Sequence, residues 1–447
     1  MPNSELAHSV WPGDDTWDAA RQAWNLAADQ HPAAVAYAES AADVSRAVGF
    51  ARERGLRVAP QGSGHGAIAI ASLEDTVLLK TERMSVIEID ADRRLGRAEA
   101  GALWGDVAIR AGEVGLAALH GSSPDVGVVG STLGGGIGWL SRSLGLSSNS
   151  VRAIELVTAD GAERRVDADN EPELFWALRG GGGAFGVVTA MEFELFPIEQ
   201  VYAGFVAWPV ERAGDVAHAY REWAATVPEE MTSQLRFLNL PPFPELPEPL
   251  RGASLVDVLG AFIGDPADGE ELLRPLRELA DPVWDSWGTI PAAELRRIAM
   301  DPEQPVPGMG DHTLIGELTP EAADAFVQAG GPDSPLISLQ LRQLGGALAR
   351  EPEGAGALAK LDADHALYGV GALMAPEAGA AIAAHLAQIK ETMAPFATGH
   401  TFLNFSDRTD DDVSGAFEPD TWRRLLAVKS DVDPEDFFVS NHPIPSG

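Results

Sequence analysis

Glycine gathered in three clusters, with one histidine inside the first, constrains this chain more than any other feature. The clusters read Gln61-Gly62-Ser63-Gly64-His65-Gly66; then Gly121-Ser122-Ser123-Pro124 onward through Gly127 and Gly130 to Gly134-Gly135-Gly136-Ile137-Gly138; then Arg179-Gly180-Gly181-Gly182-Gly183-Ala184-Phe185-Gly186. A residue without a Cβ lets backbone N–H groups converge on an anion at close range. All three clusters precede Val187, which points to one large phosphate-containing ligand held along its length. A histidine within the first cluster points to chemistry beyond phosphate binding.

Composition narrows the classes. A chain of 447 residues is long for a single hydrophobic core, and 45% hydrophobic residues mark an ordinary globular protein. The net charge of −35 argues against nucleic acid and against anionic membrane surfaces as partners. The absence of cysteine removes disulfides, thiolate catalysis, zinc–thiolate sites and iron–sulfur clusters together. The ten histidines are scattered, without metal-ligand spacing, so no metal is expected. Met1 to Asp15 is polar and acidic and lacks the apolar stretch of a signal peptide, and no apolar run is long enough to span a bilayer. The expectation is a cytoplasmic enzyme.

Hydrophobic spacing sketches the elements. Ala34 to Tyr37 reads as a strand, Ser40 as the N-cap of a helix reaching Arg54, and Leu56 to Ala59 as a strand entering the first glycine cluster. Further strands are expected at Thr76–Leu79, Val86–Ile89, Arg97–Ala100, Val151–Thr158 and Val187–Phe196. Helices are expected at Trp104–Val114, from Ile137 to Leu144, and at Glu171–Leu178. This is an α+β order, not a regular βαβ alternation. A Rossmann G-x-G-x-x-G with a helix behind it, a P-loop lysine and a G-x-S-x-G elbow are all absent. Composition shifts near Pro197 to Pro209, and Pro241 to Pro249 reads as a stiff surface loop. Beyond the shift, strands (Tyr202–Ala207, Ser254–Phe262, Leu336–Leu344, Ala366–Leu373) alternate with helices (Ala213–Ala225, Glu270–Glu278, Pro320–Ala329, Ala378–Met393). That pattern fits a second α+β domain with an antiparallel sheet flanked by helices.

The glycine clusters also carry a family resemblance. Gln61 to Gly66, then Gly121-x-x-Pro124-x-Val126-Gly127-x-x-Gly130-x-x-Leu133-Gly134-Gly135-Gly136-x-Gly138-x-Leu140-x-Arg142-x-x-Gly145-Leu146, resembles the PCMH-type FAD-binding domain of the vanillyl-alcohol-oxidase superfamily, in its berberine-bridge-enzyme-like branch. The likeness continues through Leu178 to Thr189 and returns at Leu341-Arg342-x-Leu344-Gly345-Gly346-Ala347, Asn404-Phe405-x-Asp407, and Leu425 to Phe437. It implies an FAD-binding domain over residues 1–198, a substrate domain over 199–398 whose sheet covers the isoalloxazine ring, and a C-terminal return to the FAD domain over 399–447. It implies that His65 carries the flavin 8α-methyl carbon. Relatives that add a second, cysteinyl link have it at the position of Ser123, so at most one link is possible here. The implied cofactor contacts are Gln61, Gly62, Ser63, Gly64, His65, Gly66, Gly121, Ser122, Ser123, Val126, Gly127, Gly130, Ser131, Gly135, Gly138, Val187, Val188, Asn404 and Asn441. Amides of the first two clusters and hydroxyls of Ser63, Ser122, Ser123 and Ser131 suit a pyrophosphate. Val187 and Val188 read equally well as adenine-side backbone contacts or as plain strand core. In the resembled family the residue matching Val126 gates access to the flavin, so the resemblance implies that valine there, with the small Ser131 nearby, leans toward dioxygen access and an oxidase.

In such enzymes the flavin does the hydride chemistry while the protein aims the substrate and removes a proton. Sugar- and alcohol-oxidising relatives often carry Tyr-x-Asn-Tyr, whose first tyrosine can act as base. Here the stretch is Phe402-Leu403-Asn404-Phe405, so that base is absent, while Asn404 persists either to touch flavin or orient substrate, or in a structural capping role. Alternation along Ser338-Leu339-Gln340-Leu341-Arg342 puts Ser338, Gln340 and Arg342 on one face. Arg342 there would either attract an anionic or phenolate substrate or pair with an acidic neighbour. Tyr368 and His312 are further candidates, and His120 reads as a local hydrogen-bonder. The expected function is an FAD-dependent oxidase of secondary metabolism, taking a hydride from a small alcohol, amine or hydroxylated aromatic and using dioxygen as acceptor. A dehydrogenase, or a non-oxidising flavoprotein scaffold of the same fold, is the alternative.

Overall fold

The computed structural model describes every residue except 1–5, 7, 71, 243, 245–247, 376, 410 and 411, so the expected Pro241–Pro249 loop and the Met1–Asp15 segment lie partly outside the described residues. Three sheets organise the rest. In the first, Arg57–Gln61 and Ala34–Tyr37 flank Thr76–Lys80 in parallel, and Ser9–Val10 adds an antiparallel edge. Helix Ala41–Arg54 covers this sheet. Its N-terminus is capped by the Ser40 hydroxyl accepting from the Asp43 amide, and Gly55 ends it at φ 65°. Its apolar stripe, Val44, Ala47, Val48 and Ala51, joins Val58, Val77 and Leu79 in one core. The second sheet is antiparallel, in the order Ile87–Asp90, Leu95–Glu99, Val187–Glu194, Val151–Val157, Glu163–Asp167.

The third sheet is larger and antiparallel throughout. Its order is Trp284–Asp285, Gln200–Pro209, Ser254–Phe262, Met231–Asn239, Ser338–Gln343, His365–Ala372, Gly308–Ile315, with Gly288–Pro291 also paired to Gln200–Pro209. Side-chain alternation divides its two faces. Val206, Trp208, Leu235, Phe237, Leu339 and Leu341 pack under helices Ala213–Ala224, Pro320–Ala329 and Ala378–Met393. Val201, Ala203, Phe205 and Ala207 pack the other way, against Ala117, Leu119, Trp139 and Leu140 beside the second glycine cluster. Both faces are therefore buried, and polar residues on the second face look into the protein instead of into water.

Besides the short pieces Trp284–Asp285 and Gly288–Pro291, two long strands of this sheet, Met231–Asn239 and Gly308–Ile315, were not expected from the sequence. Each mixes polar residues into a buried strand, which blurs the apolar run that marks one. The second glycine cluster likewise contains an unexpected helix, Val128–Leu133, while the helix expected from Ile137 shrinks to Ser141–Leu144. Helix Pro419–Val432 leads the chain back to the first sheet. There the buried Lys429 ammonium donates to the Ala184 carbonyl (2.8 Å) and to Asp433 (2.5 Å), and Asp433 accepts from the Phe437 and Phe438 amides. Strand residue Val58 then bonds to Phe437 and Val439. Among the described residues no helix is long and apolar enough to cross a membrane.

Candidate active site

The strand Arg57–Gln61 delivers the first glycine cluster to a crowded position. Gly64 stands at φ +87°, and a Cβ there would meet Ala23 at 2.9 Å, so glycine is required. The segment around Ala23 is tied on by the Trp24 amide bonding to the Ser63 carbonyl (3.0 Å). Asn25 exchanges hydrogen bonds with Gly308 of the large sheet (3.0 and 3.1 Å). Trp24 stacks on His65, ring centres 3.8 Å apart and 18° from parallel. Its indole N–H donates to Asp125, whose backbone and carboxylate oxygens lie 3.3 and 3.4 Å from His65 Nε2. Burial raises the Asp125 carboxyl, but the hydrogen bonds from His65 and Trp24 outweigh it and hold the group below the usual carboxylate range.

The first cluster suits an anionic cofactor on its own geometry. Among the described residues the amides of Ser63, Gly64, His65 and Gly66 find no hydrogen-bond partner. The Gln61 side chain is buried with both amide atoms unpartnered. A buried orphan such as the Gln61 amide is costly unless a ligand completes it. Asn441, from the C-terminal return, places its amide over Gly66.

The glycines of the second and third clusters divide into two kinds. A Cβ on Gly138 would lie 1.8 Å from the His120 carbonyl, on Gly135 2.7 Å from Leu358, and on Gly134 2.6 Å from Asn404. These serve the chain's own packing. Gly130, Gly182 and Gly183 have nothing within 4 Å, and Gly121 and Gly127 have only ordinary contacts at 3.6 Å. The hydroxyls are engaged internally: Ser63 accepts from the Gly127 amide (3.3 Å), and Ser122 donates to Asp301 (2.8 Å). Ser123 donates to Asp125 (3.2 Å), while Ser131 accepts from Trp104 and donates to the Gly127 carbonyl (both 2.8 Å). Gly62 lies against the Ala100 carbonyl. Val126 is half-buried against the central core, and Val187 and Val188 are fully packed in two neighbouring cores.

The polar row on the inner face of the large sheet faces this segment. Arg342 is buried, its guanidinium 5.5 Å from Trp139 and 5.3 Å from Phe405. It donates to Gln234 (3.2 Å) and Gln340 (3.3 Å), and among the described residues no carboxylate lies within ion-pair distance. Burial pulls its pKa down to about 10. One strand over, Arg236 and Asp257 form a buried ion pair at 2.7 Å. Tyr368 lies against Phe405, ring centres 5.1 Å apart, and its hydroxyl points to the Asp407 carboxylate at 3.5 Å. Asp407 also accepts from the Gly310 amide (3.0 Å). Burial, then the negative charges of Asp407 and Asp301, raise the Tyr368 phenol well above its usual value, so it stays protonated.

Asn404 sits where the segments meet. Its amide donates to the Ser131 carbonyl (2.8 Å) and accepts from the Gly136 amide (3.3 Å), clamping the second glycine cluster. The other two candidates are buried and locally bonded: His312 Nε2 accepts from the Phe402 amide (2.9 Å), and His120 bonds the Gly121 carbonyl (2.7 Å), its pKa lowered by burial. Trp24, Asp125, Gln234 and Asp301 were missed from the sequence. Asp125 lay in plain view between Pro124 and Val126, whereas Trp24, Gln234 and Asp301 reach the site only through tertiary packing.

With this geometry in view, comparisons agree on one relationship. Residues 32–167 match the model of an FAD binding domain. The chain is 30% identical over 463 residues to (R)-6-hydroxynicotine oxidase of Paenarthrobacter nicotinovorans, covering 99% of this chain and 97% of that one. It is 30% identical over 300 residues to the uncharacterised FAD-linked oxidoreductase YgaK of Bacillus subtilis strain 168, a match spanning 66% of this chain and 64% of the relative. The crystal structure of 6-hydroxy-D-nicotine oxidase from Arthrobacter nicotinovorans superposes with a TM-score of 0.87 over the full length of both chains, at 24% identity.

Proposed function

The chain belongs to the FAD-linked oxidoreductases, and from that membership we propose that it is an oxidase that takes a hydride from a small alcohol, amine or hydroxylated aromatic, with dioxygen as acceptor and the flavin bonded once, to His65. The observation that carries this reading is the polar row Gln234, Gln340, Arg342 and Tyr368, set on the sheet face opposite the glycine segment that Asn404 clamps. The division into an FAD-binding part (1–198 with 399–447) and a substrate part (199–398) is supported by the separate sheets on either side of it.

Bound FAD supplies the two-electron acceptor, which no side chain provides. The amides of Ser63 to Gly66, the Gln61 amide, the open faces of Gly121, Gly127 and Gly130, and Asn441 would hold it, with Gly62, Gly135 and Gly138 shaping the backbone around them. Tyr368 and Asp407 move the proton: the Tyr368 oxygen receives it from the substrate as its own proton passes to Asp407. This pair takes the role of the first tyrosine of the Tyr-x-Asn-Tyr pattern, whose position here is Phe402. Arg342 and the two glutamines orient the substrate, and Asn404 positions the segment beneath it.

Loss of both motif tyrosines favours a second reading, a flavoprotein scaffold that does not oxidise; the Tyr368–Asp407 pair weighs against it. The deciding experiment has two parts. Purified protein is denatured in acid, and yellow colour should stay with wild-type polypeptide and leave with His65→Ala. Peroxide release is then screened against amines, alcohols and hydroxylated aromatics. Peroxide from none of them, with flavin bound, sinks the oxidase reading.

A further inference from the structure

A histidine can form a bond through one ring nitrogen only if that nitrogen keeps its lone pair, so the hydrogen must sit on the other. Both atoms facing His65 Nε2 can only accept: the Asp125 carbonyl oxygen at 3.3 Å and its carboxylate oxygen Oδ1 at 3.4 Å. They place the hydrogen on Nε2 and leave the lone pair on Nδ1. The carboxylate is itself held. The Trp24 indole N–H donates to Oδ2 and the Ser123 hydroxyl to Oδ1 (3.2 Å). The Trp24 ring stacked at 3.8 Å fixes the plane of the imidazole and favours any positive charge that builds on it. With 14% of its side chain exposed, the Asp125 charge acts through little solvent. Ser123, at the place of the second link in the resembled relatives, here serves the carboxylate that holds the first.

We propose that Asp125, fixed by Trp24 and Ser123, is the positioning residue that selects the reactive form of His65 and takes up the Nε2 proton as Nδ1 bonds to the 8α-methyl carbon of FAD. The proposal rests on the attachment at His65 proposed above. In the step, an Nδ1–C8α bond forms and one C8α–H bond breaks. The C8α proton and the Nε2 proton are released, and two electrons enter the isoalloxazine ring. Dioxygen then takes two electrons and two protons as hydrogen peroxide, which restores the oxidised ring.

The test reconstitutes apo-protein with FAD and follows flavin fluorescence that remains on the polypeptide after denaturation, with intact mass as a check. Non-covalent FAD affinity is measured separately, before the bond forms. Asp125→Ala should slow bond formation roughly 10- to 100-fold with FAD affinity unchanged. Asp125→Asn, which keeps an acceptor without the charge, should fall between, and Asp125→Glu should recover most of the rate. Asp125→Ala bonding flavin at the wild-type rate overturns the proposal, as does a loss of affinity equal to the loss of rate. If Asp125→Ala does not fold, Asp125→Asn decides by the same two criteria. Wild-type protein that never bonds flavin overturns the His65 reading instead, and that result needs no variant.

Discussion

Tyr368 and Asp407 carry the sharpest residue-scale prediction. The phenol is too buried to ionise alone, so it can accept a substrate proton only while giving its own to Asp407. Tyr368→Phe keeps the ring contact with Phe405 and removes only the oxygen. It should cut the rate of flavin reduction about 10²- to 10⁴-fold, the usual range for loss of a general base, with little change in KM. Asp407→Asn should act in the same direction. Stopped-flow reduction of the Tyr368→Phe enzyme at wild-type speed would remove the pair from the mechanism. The sequence could offer Tyr368 as a further polar candidate on the substrate sheet, yet it could not pair it with Asp407. Their separation of 39 positions closes only when the C-terminal return crosses the sheet. His65 was legible because its loop is a local pattern. Trp24 was not, because nothing local marks a tryptophan that stacks on a histidine 41 positions away.

At the scale of elements, the second glycine cluster separates two uses of the same residue. Gly138→Ala drives a Cβ into the His120 carbonyl, where no rotamer change can relieve the clash. It should cost more than about 3 kcal/mol, since the obstacle is backbone and overpacking of even flexible side chains costs about 1–3 kcal/mol. Gly130 lies inside helix Val128–Leu133 with nothing within 4 Å, so alanine should stabilise the apo-protein by about 0.5–1 kcal/mol. If FAD approaches the backbone there, the same change weakens FAD binding. Thermal unfolding of apo- and FAD-loaded Gly130→Ala should therefore show a raised Tm without FAD and a smaller gain on loading than wild type. An unchanged gain would take Gly130 out of the cofactor site. The helix itself escaped sequence reading because its glycine and serine mask a short apolar stripe of Val128, Val129, Thr132 and Leu133. Strand Met231–Asn239 escaped for a related reason: Thr232, Gln234 and Arg236 break up its apolar run, although all three are buried in the sheet. By contrast, Arg57–Gln61 and Val187–Glu194 were legible because apolar residues dominate them.

At the scale of the whole molecule, charge imbalance outweighs charge pairing. Sixty-seven carboxylates face 32 basic side chains, leaving a net charge of −35. Arginines are widely paired, as Arg97 with Glu155 and Arg164 with Asp160 and Glu171, but these pairs sit at or near the surface. Exposed pairs contribute about 0–1 kcal/mol each, and salt weakens them. The buried pairs, Lys429–Asp433 and Arg236–Asp257, are shielded from salt. Unpaired carboxylates repel one another over the whole surface at low ionic strength, where the Debye length is about 30 Å at 0.01 M, and hardly at all at about 3 Å in 1 M salt. The two effects of salt oppose each other, and the larger number of unpaired charges decides the sign. Tm should climb as sodium chloride rises across that range, most steeply at the low end where screening changes fastest. Chloride is the right anion for the measurement because sulfate would stabilise the fold by exclusion from its surface. A Tm that falls over the same range would show that the arginine pairs, not the surplus of carboxylates, govern the electrostatics of this fold.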